Sequence, residues 1–200
     1  MTSVRRSPAI LVFLTILILS ARAPAAAIET PIAKPYAAFQ FLIGEWTVSA
    51  EGGGPAIGIA RFRWGPNQSY IWCSSSFFLN GAERPHFEGL LMWNGVHKNL
   101  DTLIAMDLEN GLVQESGVMS VGPDGTVVRE VTASYSEGVR PIGQPTAGPE
   151  GATARFRQTY RQAGPDKVVT RVMRQSGKDW VPTFPGSDRL EMTRQITRTP

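Results

Sequence analysis

Along most of the chain, apolar and polar residues alternate in short runs, each closed by a turn signal. Alternation with a period of two puts successive side chains on opposite faces of a strand. Ile57 to Trp64 sets Ile59, Arg61 and Arg63 against Ala60, Phe62 and Trp64. Ser69 to Leu79 sets Tyr70, Trp72, Ser74, Ser76 and Phe78 against Ile71, Cys73, Ser75 and Phe77. His86 to Trp93 sets His86, Glu88, Leu90 and Met92 against Phe87, Gly89, Leu91 and Trp93. Further strands are predicted at 45–48, 98–106, 112–121, 126–135, 153–161, 167–175 and 189–196. Between them stand Glu51 to Pro55 (EGGGP), Gly65-Pro66-Asn67, Asn80-Gly81, Asn94-Gly95, Asn110-Gly111, Gly122 to Gly125, Gly164-Pro165-Asp166 and the stretch Ser176 to Asp188. Such residues supply the tight, often positive-φ corners of hairpins. The expected class is all-β, an antiparallel up-and-down β-barrel of about ten strands, because sequential hairpins favour a barrel and closure removes exposed edges.

Two stretches break the rhythm. Residues 28–43 form a lead-in with one short helix. Pro35 suits a first turn, and Tyr36, Phe39 and Ile43 share one face, so the helix is expected to plug one end of the barrel. Ser136 to Gly151, with four glycines and three prolines in 16 residues, is expected to be a flexible rim loop within the single barrel domain 44–200.

Residues 1–27 have the build of a secretory signal: Arg5 and Arg6, then the apolar run Ala9 to Leu19, then small residues at Ala23-Pro24-Ala25 and Ala25-Ala26-Ala27. The apolar run is shorter than the roughly 20 residues a helical span requires, so a secreted or periplasmic protein with no stable membrane span after cleavage is expected. Cleavage would remove Arg5, Arg6 and Arg22 and no acid, leaving 17 basic against 17 acidic residues. A chain without net charge lacks the electrostatic basis for a nucleic-acid partner. Cys73 is the only cysteine, so no internal disulfide is available, and its strand context reads as a small buried hydrophobe.

The segment Phe39 to Trp46 (FQFLIGEW) places Gly44-x-Trp46 after the short helix and at the start of the first strand. This resembles the opening of lipocalins and other calycins. The wider phrase is similar to uncharacterised lipocalin-like secreted bacterial proteins of the domain of unknown function 1579 type. Gly89 to Asn94 with Asn99-Leu100, and Ser176 to Trp180 with Met192-Thr193-Arg194, resemble the same group. The resemblance implies a β-barrel with an internal cavity and no particular activity. Some barrels of this shape hold haem through a histidine late in the chain. This chain has no histidine after His97, and no cofactor is expected.

A barrel of this size can enclose one small ligand. Phe62, Trp64, Tyr70, Trp72, Phe78, Met92, Trp93, Met119, Tyr160 and Met173 are the expected inward aromatic and thioether surface, either lining a cavity or filling a solid core. Tyr70, Trp72, Trp93, Asp101, Tyr160 and Arg171 are the candidate ligand contacts, with Arg171 suited to a carboxylate or to pairing with Glu88. His86 and Glu88, two apart on one strand, are the candidate acid–base pair; alternatively they are a strand-end histidine and a core acid satisfied by an arginine. Arg155, Arg157 and Arg161 read as a solvated outer face. No metal-ligand spacing, phosphate loop or nucleophile elbow is present. Three functions are open: binding of a small hydrophobic or amphipathic molecule; a cofactor-free isomerase, cyclase or lyase using His86 and Glu88; and an envelope interaction protein with loop 136–151 as contact surface. Oligomeric state is not encoded in any feature of the pattern.

Overall fold

The computed structural model describes residues 33–108, 111–139 and 148–195. The signal-like segment 1–27 lies outside the described residues, as does the middle of the expected rim loop.

A 3-10 helix, Lys34–Leu42, precedes eleven strands: β1 (Gly44–Ala50), β2 (Gly58–Trp64), β3 (Ile71–Leu79), β4 (Ala82–Asn94), β5 (Asn99–Leu108), β6 (Gly111–Val121), β7 (Val127–Tyr135), β8 (Ala152–Gly164), β9 (Lys167–Ser176), β10 (Asp179–Pro182) and β11 (Leu190–Arg194). Strands β1 to β9 pair antiparallel in sequence order. β11 inserts between β9 and β1, with Leu190 opposite Thr170 and Trp46 opposite Arg194. Ten strands therefore form a closed antiparallel barrel, a calycin-like fold. The eleventh, β10, is a short strand on the edge of β9 that β11 leaves free, from Met173 to Ser176. It falls in the stretch predicted to be a turn, because four residues with one partner carry little alternation.

Three inward glycines allow the sheet to curl. A Cβ at Gly58 would strike the backbone of Ser76, one at Gly89 the backbone of Leu103, and one at Gly117 the backbone of Glu130. Each marks a close strand–strand approach that only glycine permits, the device by which barrels bend. The Asn80-Gly81 corner has positive φ at both residues, 52° and 77°, as a type I′ hairpin requires.

One end of the barrel is packed solid. Because the helix is 3-10, its buried face recurs every three residues, at Tyr36, Phe39 and Leu42, instead of the Tyr36, Phe39 and Ile43 set of an α-helix. The Tyr36 hydroxyl donates to Ser69 O (2.7 Å) and accepts from the Trp93 amide (3.0 Å). Trp46 is fully buried, and its indole N–H donates to Leu42 O at 2.7 Å. Arg194 lies 4.2 Å over the Trp46 ring and donates to the carbonyls of Ile43 and Phe41. Gly44 has φ of 137°, and any side chain there would collide with the Arg194 guanidinium. The Gly-x-Trp opening and the arginine of the last strand are thus one interlocked unit.

Candidate functional site

The opposite half of the barrel is hollow. A cavity of about 490 Å³ lies inside the barrel, and its lining includes Val48, Ala60, Phe62, Phe87, Met106, Phe156, Val172 and Met192. The half-exposed apolar side chains of Ile57, Phe77 and Phe184 also line it and form its mouth. Phe184 follows β10 and is held by Ser187, whose hydroxyl accepts from the Phe184 amide (3.1 Å) and donates to Val172 O (2.8 Å).

The lining is set by strand parity. On β3, Ile71, Cys73, Ser75 and Phe77 face inward. On β4, Phe87, Gly89, Leu91 and Trp93 do. This reverses the expected placing of Tyr70 and Trp72. Trp72 lies on the outer face, with Arg63 5.4 Å from its ring and its indole N–H donating to Glu88 at 2.7 Å. Tyr70 packs its ring on Gly65 in the β2–β3 turn. Phe78, Met92 and Met173 likewise do not line the cavity; Met92 is exposed. Trp64, Trp93 and Met119 do pack inward, but in the solid end rather than in the cavity. Asp101 is exposed and accepts from the Asn94 side-chain amide. Arg171 is exposed and makes no ion pair with Glu88. Of the six expected ligand contacts, Tyr160 alone lines the cavity, 3% exposed and edge-to-face with Phe62 at 6.0 Å.

His86 and Glu88 are separated by an irregularity in the strand. Ser75 pairs with Phe87 and Ser76 with Pro85, so His86 is the unpaired residue of a bulge. A bulge resets the alternation by one residue. His86 consequently turns into the cavity beside Phe87 and Phe77, while Glu88 remains outside and exposed. The expectation of a shared face is thereby corrected: the two do not form a pair. Burial, reinforced by the Arg129 charge, holds the His86 pKa below its ordinary value.

A different polar pair occupies the interior. Arg129 of β7 and Glu115 of β6 are both buried and both line the cavity, with Nη1 to Oε2 at 3.2 Å. That contact is an ion pair out of hydrogen-bonding alignment, and among the described residues Glu115 Oε2 and Arg129 Nε have no aligned hydrogen-bond partner. Arg129 also lies 5.6 Å from the Phe87 ring. Burial is the largest single influence and opposes the arginine's charge, but the surrounding acidic groups, Glu115 foremost, together outweigh it, and the Arg129 pKa is raised. Burial pushes Cys73 up to about 11 and, with Glu115, Tyr135 up to about 12; it raises Tyr160 as well. Near neutral pH these three groups are protonated. The sequence carries a trace of this pair. Val127, Arg129, Val131, Ala133 and Tyr135 alternate on one face of β7, and Val113, Glu115, Gly117 and Met119 on one face of β6. A single charge on each of two adjacent apolar faces is the signal, visible once the faces are written out.

Among the described residues, no group of three or more His, Cys, Asp or Glu side chains is arranged to hold a metal ion. Arg155 and Arg161 are exposed. Arg157 pairs with Glu130 at 2.7 Å under the Trp180 ring, on the outer face. No protein-family model matches the chain, and no curated protein matches it.

Proposed function

We propose that this protein is an exported lipocalin-like β-barrel that holds a small hydrophobic or amphipathic molecule in its interior. The observation that carries this reading is the cavity of about 490 Å³, walled by apolar side chains and lined at its mouth by Ile57, Phe77 and Phe184. Sites for small ligands are concave, mainly apolar and equipped with a few polar groups, in the range of roughly 300–1,000 Å³. An apolar mouth lets a water-insoluble molecule enter without crossing a charged ring. Export to the periplasm or beyond rests on the signal-like residues 1–27, and the kinship to secreted lipocalin-like bacterial proteins rests on the Gly44-x-Trp46, Trp93 and Arg194 segments.

The enzyme reading loses its pair, since Glu88 is outside the cavity that holds His86. Of the contact loop in the interaction reading, residues 140–147 lie outside the described residues.

The test uses residues 28–200 and the neutral dye N-phenyl-1-naphthylamine. Binding should be saturable, with a blue-shifted emission, and should be lost in Ala60→Trp, which fills the cavity from the wall. Dye binding that survives this substitution unchanged places the dye elsewhere and removes the support for an interior site. Native mass spectrometry of the protein from its own host then identifies the resident molecule.

A further inference from the structure

We infer that the molecule held in the barrel carries a neutral head group able both to donate and to accept a hydrogen bond, such as a primary amide or an alcohol, and that this group docks on the Arg129–Glu115 pair. The inference rests on the interior-binding reading and specifies its ligand.

The wall presents one cation and one anion side by side, and each has capacity left over. Arg129 Nε lacks an acceptor, and Glu115 Oε2, in ion-pair contact with Arg129 Nη1, lacks an aligned donor, although both residues are more than nine-tenths buried. Buried polar groups without partners are costly, and a ligand that supplies the partners recovers that free energy. A single small group reaching both atoms must accept from the guanidinium and donate to the carboxylate.

Charge excludes the other head groups. Arg129 is already neutralised by Glu115 at 3.2 Å. A carboxylate ligand would place two anions against one cation in a poorly hydrated wall. A protonated amine would set two cations against one anion. Either leaves an uncompensated buried charge. The remaining ionisable groups on the cavity add none near neutral pH: the His86 pKa is lowered, and those of Tyr135 and Tyr160 are raised. A hydrocarbon or an ester fails differently. The first satisfies neither atom, and the second cannot donate to Glu115.

The experiment displaces N-phenyl-1-naphthylamine from residues 28–200 with probes of one chain length: decanamide, decan-1-ol, methyl decanoate, sodium decanoate, decylamine and decane, at neutral pH. The expected result is that the amide and the alcohol bind about tenfold more tightly than the ester, the hydrocarbon and both charged probes, the worth of roughly one well-made hydrogen bond. The double variant Arg129→Met with Glu115→Leu, which leaves no half-pair in the wall, should erase the amide-to-ester ratio. Equal affinities across the series, or tightest binding by decanoate, would overturn the inference and leave interior binding standing. If neither the dye nor any probe binds, both readings fall. Should the double variant fail to fold, the ranking of the probes on the wild-type protein is sufficient to support or overturn the inference.

Discussion

At the scale of single residues, the interior is decided by which side of a strand a charge falls on. Arg129 and Glu115 face each other as an ion pair in the wall, 3.2 Å apart. Removing one partner leaves the other charge buried and alone, and such truncations destabilise by about 3–5 kcal/mol. Arg129→Met and Glu115→Leu should each lower the urea midpoint strongly. The double variant should recover most of the loss, giving a large coupling in the double-mutant cycle; additive losses would show that the pair does not act as a unit. His86 makes a pH prediction. Its folded-state pKa lies below the ordinary 6.5, so the unfolded chain takes up its proton first as pH falls. Its contribution is present above that value and is lost as pH drops from 6.5 towards the folded pKa, by at most about 1.4 kcal/mol per pH unit. His86→Gln should flatten this part of the stability profile, and an unchanged slope would assign it to other groups. The site was only partly legible because large aromatic residues in an alternating run suggest an inward face. Trp72 and Tyr70 have outer partners in Glu88, Arg63 and Gly65, and it is the smaller Ser75 that stands on the cavity wall. The bulge at His86 has no signature in the alternation, since it is a property of the pairing with β3.

At the scale of elements, the pattern was much more informative. Each strand of the closed ring overlaps a run predicted as strand, with glycine, proline or asparagine at the corners, because both signals are local. β4, though, starts at Ala82, ahead of the predicted His86, and β9 buries Val168, Val169 and Thr170 in succession. What local pattern does not carry is how strongly a strand bends. Gly89 and Gly117 read as ordinary small residues, yet each faces the backbone of its neighbour with no room for a Cβ. Gly117→Ala is expected to destabilise by about 1–3 kcal/mol through forced backbone movement, whereas Gly81→Ser at the open hairpin corner meets no atom and is opposed only by its positive φ. Thermal melts of the two variants should separate clearly; equal shifts would argue that the close approach at Gly117 relaxes without strain. The helix-to-barrel lock is a second element-scale device. Arg194 covers Trp46, ties the end of the helix through two carbonyls and pairs with Asp166 at 3.1 Å. Lysine keeps the charge and loses the planar fork, so Arg194→Lys should increase hydrogen exchange at the helix end and at Trp46 before it alters the rest of the barrel.

At the scale of the whole molecule, closure depends on strands from opposite ends of the chain. β1 and β11 pair across nearly the full sequence, from Trp46 to Arg194, and β11 is also the bridge between β1 and β9. Pairings this distant form late, because the entropy of closing the intervening chain must be met before the contacts contribute. Until they form, β1 and β9 present open edges able to recruit another chain. The cavity exists only in the closed state, since Val48 of β1, Thr170 of β9 and Leu190 and Met192 of β11 all belong to its wall. Truncation after Asp188 removes the 12 residues 189–200 but should remove the cooperative unfolding transition, dye binding and resistance to aggregation together. The free edges should be capped by a peptide spanning residues 186–200 supplied in trans, returning part of the dye binding. If the truncated chain kept both its dye affinity and its unfolding midpoint, the barrel would have to close through another pairing, and β11 would be a cover instead of a wall.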